Sequence, residues 1–443
     1  MPMQSLLIVG RGGWTPAFLD AAEALGAHTE VIEHLQDIDG ALAADPSCVL
    51  LDLDTDLAGP ELGARLWPRL GSEARPFLVA GIELDPPELR AMFEAGARDY
   101  VPMPAHKREL ILRIGAALRG RFRVACLGGG TGLYTLLTGL KEVPRTLLTS
   151  IVSMSDDGGS SGRLRTTFGV LPPGDVRRSL VALSNAPELM NHVMRYRFER
   201  GAELSGHSVG NLILTALSEL TGSMPRAVKA LGDILNVHGI VTCVTETPTT
   251  LCAEFADGRV IKGESAIDRG LDRPGDLRIR RVWQEPEAHC SSDVYAALLA
   301  ADLITIGPGD LYTSVIAGLA INGIGEALRA SRGKKLYVCN LMTKPGETGG
   351  HDVADHVAAI NHAVGADVLD FILVSSTRLR EDAIREYAAK GQHPVVLPAP
   401  EKLRAITRAE ILARDVGDRS ELVRHDSSKL RHEIELLLEK VLV

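Results

Sequence analysis

Val124-Ala-Cys-Leu-Gly128-Gly129-Gly130-Thr131-Gly132 joins a short apolar run to a cluster of glycines and then to a helical pattern over 132–141. An apolar strand that ends in glycines and opens a helix begins an α/β unit. Glycine lets the backbone come close to a phosphate, and the free N–H groups of the first helical turn add donors and the positive end of the dipole. The cluster is not G-x-G-x-x-G, because Leu133 stands where the third glycine belongs, and Asp156 lies too late for the acid that meets a ribose about twenty residues on. It points to a nucleotide more than to NAD. A tight strand-to-helix turn with close packing is the competing reading.

Further loops of the same plan decide between the two. Ser155-Asp156-Asp157-Gly158-Gly159-Ser160-Ser161-Gly162-Arg163-Leu164-Arg165 follows the apolar strand 147–154. Its paired carboxylates suit a divalent ion or a ribose hydroxyl, and its arginines suit phosphate oxygens; a solvated Asx turn is the alternative. In Leu171-Pro-Pro-Gly-Asp175-Val-Arg177-Arg178, Asp175 can cap the next helix, while two arginines at that helix start oppose its dipole and make sense beside an anion. Gly206-His207-Ser208-Val-Gly-Asn211 opens another helix, with His207 open to three roles: ligand contact, general base or cap partner. Gly307-Pro308-Gly309-Asp310-Leu-Tyr-Thr313-Ser314 and Asn340-Leu-Met-Thr343-Lys344-Pro-Gly-Glu-Thr348 repeat the strand, glycine turn and helix plan, Lys344 being suited to a phosphate charge. Open α/β sheets bind ligands at the carboxyl ends of their strands. So many glycine-bearing polar loops at one sheet edge exceed what turn geometry alone explains.

Composition narrows the class. The chain has 443 residues, 45% apolar and 24% charged, the balance of a globular protein with material for two to four domains. Its 48 Lys+Arg against 57 Asp+Glu leave a net charge of −9, so no nucleic-acid partner is expected. No apolar run approaches the roughly 18 residues of a membrane span, and the start does not read as a signal peptide, so the expected location is the cytoplasm. The six cysteines are scattered without a Cys-x-x-Cys pair, which predicts neither disulfides nor a zinc site.

Residues 1–120 alternate strands at 6–9, 48–53, 77–80 and 99–101 with helical patterns, a small parallel α/β unit of flavodoxin-like type. Val49-Leu-Leu-Asp52 and Glu94-Ala-Gly-Ala-Arg-Asp-Tyr-Val-Pro-Met-Pro104 resemble the receiver domains of two-component signalling, with Asp52 at the phospho-acceptor position. The rest of that chemistry is missing. Gly10 and Arg11 replace the acidic pair that holds magnesium, Ala80 or Gly81 the hydroxyl residue, and Met103 the lysine before the last proline. The unit reads as a pseudo-receiver retained for contacts with a protein partner or a second copy of the chain.

The second part is similar to a known family. Gly128 to Gly132, Ser155 to Arg163, Pro173-Gly-Asp175, Gly206 to Asn211, Gly307 to Ser314 and Pro345-Gly-Glu-Thr348 together resemble the gluconeogenesis factor family, relatives of 2-phospho-L-lactate transferase (CofD-like). The likeness runs from about Val124 to about Pro400. It implies a Rossmann-like, mostly parallel main domain over 121–400, with a C-terminal helical extension over 401–443. It further implies a cytoplasmic regulator that binds a nucleotide sugar such as UDP-N-acetylglucosamine and is required for cell shape and for growth on gluconeogenic carbon sources. The alternative is a transferase that moves a phosphorus-containing group from a nucleotide-activated donor with magnesium. Under the first reading Gly128, Gly129, Gly130, Thr131, Gly132, Gly307, Pro308 and Gly309 cradle phosphates, and Asp156 and Asp157 meet ribose or Mg2+. Arg163 and Lys344 neutralise charge. Gly158, Gly159, Ser160, Asp175, His207, Asn211, Asp310, Thr313, Asn340 and Thr343 complete the expected site. His351-Asp352 departs from the family's usual Tyr-Thr, and no nucleophile and base pair stands out by spacing.

The receiver-like unit yields an immediate test. Acetyl phosphate with magnesium should leave Asp52 unmodified, as read by intact mass. A phosphoryl group gained by the wild type and absent from Asp52→Asn would overturn the pseudo-receiver assignment.

Overall fold

The computed structural model describes residues 4–10, 12–33, 37–53, 76–81, 84–269, 278–418 and 422–441. Arg11, used in the sequence reading, lies outside them.

The first unit is a five-stranded parallel sheet, β1 (Ser5–Val9), β2 (His28–Ile32), β3 (Cys48–Asp52), β4 (Phe77–Gly81) and β5 (Asp99–Pro102), in the order β2-β1-β3-β4-β5. That is the flavodoxin-like doubly wound order shared by receivers. β3 and β4 are buried on both faces and show as unbroken apolar runs. β2 is an edge strand with only Ile32 buried, so it carries no apolar pattern and escapes the sequence reading. At the carboxyl end of β3, Asp52 accepts a hydrogen bond from Thr15 Oγ1 at 3.2 Å.

The second unit is built on seven parallel strands: β6 (Phe122–Gly128), β7 (Thr146–Val152), β8 (Ile240–Cys243), β12 (Leu303–Ile306), β13 (Lys334–Val338), β14 (Phe371–Ser375) and β15 (Glu410–Arg414). Their order is β15-β14-β13-β12-β6-β7-β8, the Rossmann arrangement with one further strand. The chain leaves β6 toward one side of the sheet and returns at β12 on the other. A three-stranded antiparallel sheet lies apart, with β9 (Thr250–Phe255) between β10 (Val260–Lys262) and β11 (Ile279–Glu285), and Asp257-Gly258 turning β9 into β10.

Two expectations need correction. The stretch 401–443 is not a helical extension alone, because β15 pairs with β14 from Phe371↔Glu410 to Ser375↔Arg414 and so completes the main sheet. As an edge strand with one buried residue, β15 offers no apolar run. The helix Ser427–Val441 then buries Leu430, Ile434, Leu437 and Leu438. It lies against the helix Gly130–Leu140, where a Cβ on Gly139 would sit 2.1 Å from the Ser427 carbonyl. Likewise the Gly-Gly-Ser-Ser-Gly stretch read as a loop is helical from Gly159 to Phe168. Its glycines mark close approach: a Cβ on Gly162 would meet the Asp157 carbonyl at 2.0 Å.

The two units meet along a seam of buried charge. Arg113, on the helix Lys107–Leu118, is 3% exposed and bonds Asp99 at 2.8 Å, Glu109 at 3.0 Å and Asp293 of the second unit at 3.0 Å. Lys229, also of the second unit, reaches Glu109 at 3.1 Å and Asp293 at 3.4 Å. Arg98 pairs with Asp302 at 3.2 Å, and Arg123 stands 3.6 Å from Asp99. Burial alone would push Glu109 up, but Lys229 and Arg113 outweigh it and hold the carboxyl below its usual range. Ala116 adds an apolar contact with Leu147 and Ile240. The second-unit residues Arg123, Leu147, Ile240 and Asp302 all stand at or just before the amino ends of their strands. The receiver-like unit therefore occupies the edge of the main sheet opposite the glycine loops.

Removing one partner from such a network leaves uncompensated buried charge, which costs about 3–5 kcal/mol. Arg113→Ala should lower the urea midpoint by a corresponding amount; a loss below about 1 kcal/mol would mean that the seam charges are solvated in solution.

Candidate functional site

β6 and β12 are neighbours whose following chains diverge, so the crevice between their carboxyl ends is the switch point of the sheet. The turns at this crevice are packed on each other. A Cβ on Gly132 would lie 2.3 Å from the Pro308 carbonyl oxygen, and one on Gly128 would touch Gly307 Cα at 3.8 Å. Gly130 has φ +65°, a conformation that side-chain-bearing residues rarely adopt. Part of the glycine pattern is thus packing, as the competing reading of the sequence held. The same packing leaves space for a ligand: a cleft of about 450 Å³ is bounded by Thr131, Gly132, Pro308, Gly309, Asp310, Asn340, Thr343 and Lys344. Gly309 N–H donates to Asn340 Oδ1 at 3.2 Å, which ties the loop after β12 to the loop after β13, and Thr343 Oγ1 accepts from His393 N–H at 2.9 Å.

The floor of this cleft is charged. Lys344 Nζ binds Asp268 and Asp310, both at 2.6 Å, and Glu347 at 2.9 Å. Burial opposes its charge, but these carboxylates, Glu347 foremost, hold the ammonium ionised. Lys344 thus first neutralises the protein's own acids. Glu347 is 2% exposed and also accepts from Thr313 Oγ1 at 2.9 Å and from the Tyr312 and Thr313 N–H groups, so it fixes the turn after β12. Glu347 belongs to the quoted Pro345-Gly-Glu-Thr348 run, yet nothing in its spacing singled it out. Asp268, and Glu264 beside it, come from the short helix Glu264–Asp268 behind β10, outside the strand, glycine and helix plan; the sequence held no signal for them. Burial, then Asp268 and Asp156, push Glu264 up to about 8.

A second group of residues surrounds the helix starts at Gly159, Pro173 and Val209. Asp175 Oδ2 accepts the Gly130 N–H at 2.8 Å and Oδ1 takes Arg178 at 3.1 Å, so this carboxylate caps the helix after β6. The N–H groups of Thr131 and Gly132 have no partner among the described residues. Asp156 faces the Asp175 helix, where a Cβ on Gly174 would meet its Oδ2 at 2.4 Å. Asp157, in contrast, turns toward β10 and accepts the Ser265 N–H at 2.7 Å. The two adjacent carboxylates therefore face different elements, and Asp156 is the one set beside Asp175. A cleft of about 1190 Å³ opens beyond them, walled by Asp157, Gly159, Arg163, Arg165, Leu204 and His207. Arg163 Nη2 donates to the Ser205 carbonyl at 2.7 Å, and Gly158 N–H to Asp156 Oδ1 at 3.1 Å. Although no nucleophile and base were legible by spacing, Ser160 Oγ stands 3.0 Å from His207 Nδ1, and Asn211 Nδ2 donates to Ser160 at 3.1 Å. Residues some fifty apart in sequence meet here only because two helices start side by side.

Comparison with known proteins agrees with this architecture. The family model of 2-phospho-L-lactate transferase CofD matches residues 124–416. The gluconeogenesis factor of Bacillus subtilis is 41% identical over 309 residues, 70% of this chain and 95% of the relative. The putative gluconeogenesis factor of Thermotoga maritima is 40% identical over 71% of this chain and 98% of its own length. That of Nostoc is 43% identical over 70% of this chain and 67% of its own length. A crystal structure of a Bacillus halodurans protein superimposes with a TM-score of 0.68 at 38% identity, covering 71% of this chain and 99% of that one.

Asp175 offers a test of the site's electrostatics. Burial first, then Asp156, push it up to about 6 from 3.8. Because the folded value exceeds the unfolded one, the folded state holds the proton longer. Stability without ligand should fall as pH rises from about 4 to 6, by up to about 3 kcal/mol. Asp175→Asn, which keeps an acceptor for Gly130, should flatten that part of the denaturation profile; an unchanged slope would mean that Asp175 ionises normally.

Proposed function

This chain belongs to the 2-phospho-L-lactate transferase CofD family and stands with its gluconeogenesis factors, and from that premise we propose that it binds a nucleotide sugar of the UDP-N-acetylglucosamine type. In this reading it is a cytoplasmic regulator, required for cell shape and for growth on gluconeogenic carbon sources, and residues 1–120 serve contacts with a protein partner or a second copy.

The observation that carries the ligand class is the pair of glycine turns at the switch point. The N–H groups of Thr131 and Gly132, without a partner among the described residues, sit in the first turn of the helix Gly130–Leu140, where N–H groups and the helix dipole favour phosphate oxygens. Asp310, Asn340 and Lys344 bound the same cleft. The carboxylates suit magnesium. Asp175 is half-buried and is pushed up by desolvation and then by Asp156 in spite of Arg178 and Arg177, and these two carboxylates would hold the ion. Asp157, already engaged by Ser265, suits a structural or ribose-facing role better. Bound magnesium would supply positive charge to phosphate oxygens.

The Asp156–Asp175 pair also favours a second reading, the phosphorus-group transferase, because a divalent ion beside a nucleotide diphosphate serves transfer as well as binding. Calorimetry with UDP-N-acetylglucosamine, GDP and NAD, followed by phosphorus NMR of the mixtures, separates the two. The regulator reading expects saturable heat with the UDP-sugar, about tenfold weaker after chelation and in Asp156→Asn, and an unaltered ligand. New phosphorus signals would favour the transferase, and absence of binding by every nucleotide would overturn both.

A further inference from the structure

His207 lines the larger cleft, is 8% exposed, and belongs to a chain of hydrogen bonds whose direction can be worked out atom by atom. Arg177 Nε, which can only donate, meets Asn211 Oδ1 at 2.8 Å. That contact fixes the amide orientation, so Asn211 Nδ2 is the group that donates to Ser160 Oγ at 3.1 Å. Ser160 is 3% exposed, and His207 Nδ1 at 3.0 Å is its only other hydroxyl partner among the described residues. Were Nδ1 protonated, the serine oxygen would accept twice and its own hydrogen would be buried without an acceptor, which is unfavourable. The serine hydrogen therefore goes to Nδ1, and the imidazole carries its proton on Nε2, for which the described residues supply no acceptor.

Charge argues the same way. The cationic groups around the ring are Arg163 on the helix Gly159–Phe168, Arg197 on the segment before Gly206, and Arg177 behind Asn211. Burial first, then Arg163 and Arg197, hold His207 below its ordinary value. Burial and the two arginines disfavour the imidazolium, so the ring is better placed as a neutral donor at Nε2 than as a strong base. A neutral imidazole presenting N–H suits a site where an uncharged oxygen must be bound or polarised, as in the neutral-histidine electrophile of triosephosphate isomerase.

We propose that His207 is a neutral hydrogen-bond donor to a hydroxyl or carbonyl oxygen of the ligand's sugar, with Ser160, Asn211 and Arg177 as the positioning residues that hold its tautomer. The assignment rests on the nucleotide-sugar reading above. In it the glycine turns take the phosphates, and the sugar enters the cleft that begins at Asp157 and Gly159.

The test is nitrogen NMR of the full-length protein labelled at histidine, the His207 signals being identified by their loss in His207→Ala. At pH 8 the wild type should show a bare Nδ1 and a protonated Nε2. In Asn211→Asp the new carboxylate should take the serine hydrogen, leaving Ser160 only lone pairs to offer, and the proton should move to Nδ1. By calorimetry, His207→Ala should weaken UDP-N-acetylglucosamine about tenfold and leave UDP unchanged. An imidazolium or an Nδ1–H tautomer in the wild type, a tautomer indifferent to Asn211→Asp, or equal losses for UDP and the UDP-sugar would each overturn the proposal. Should the wild type bind neither UDP compound while showing the expected tautomer, the nucleotide-sugar reading falls and takes the sugar contact with it, but the fixed donor stands.

Discussion

The approach of Gly132 to the Pro308 carbonyl is the constraint on which the site depends. Two parallel strands lie side by side at the centre of the sheet, and the turns at their carboxyl ends must pass within van der Waals distance. Only backbone fits between them, since a single methyl group at residue 132 would fall 2.3 Å from an oxygen. Once the turns are locked, the first N–H groups of the helix Gly130–Leu140 face a crevice whose other wall is the loop after β12. The loop after β13 is then drawn in through Asn340. The ligand cleft is a consequence of this packing and needs no separate device.

Charge is the second organising factor, and much of it is turned inward. Asp268, Asp310 and Glu347 share one lysine, Asp175 is shared between Arg178 and a helix terminus, and Glu264 is held up near neutrality by burial and its acidic neighbours. A phosphate arriving in such a site would meet backbone dipoles and partly satisfied cations, and its binding would depend on what the cations must release as well as on how many there are. Around His207 the balance runs the other way, since burial and then Arg163 and Arg197 disfavour the charged ring.

At the far edge of the sheet, the receiver-like unit is joined through residues that are charged, buried and drawn from both units. Arg113 and Lys229 each serve carboxylates of both units. Charge buried in this way tolerates its partners and little else, which makes the docking specific in geometry even where its net stabilisation is small. The unit is thereby placed at the opposite edge of the sheet from the cleft.

The sequence by itself determined the parallel α/β class, the two-unit order, most of the buried strands and the glycine loops at one sheet edge, because those features are written in local apolar runs and in residues with unusual backbone freedom. It could not show β2 or β15, whose edge positions remove the need for apolar side chains. It also could not show that the Gly159 stretch is helical, since its glycines answer to neighbours and not to helix propensity. Asp268 and Glu264 enter the site from a separate antiparallel layer, and Lys344 is claimed by acids far away in the chain. Ser160, His207, Asn211 and Arg177 each had a residue type worth noting, but a proton's position depends on which atoms face which. Only the packing of three helix starts against one another decided that.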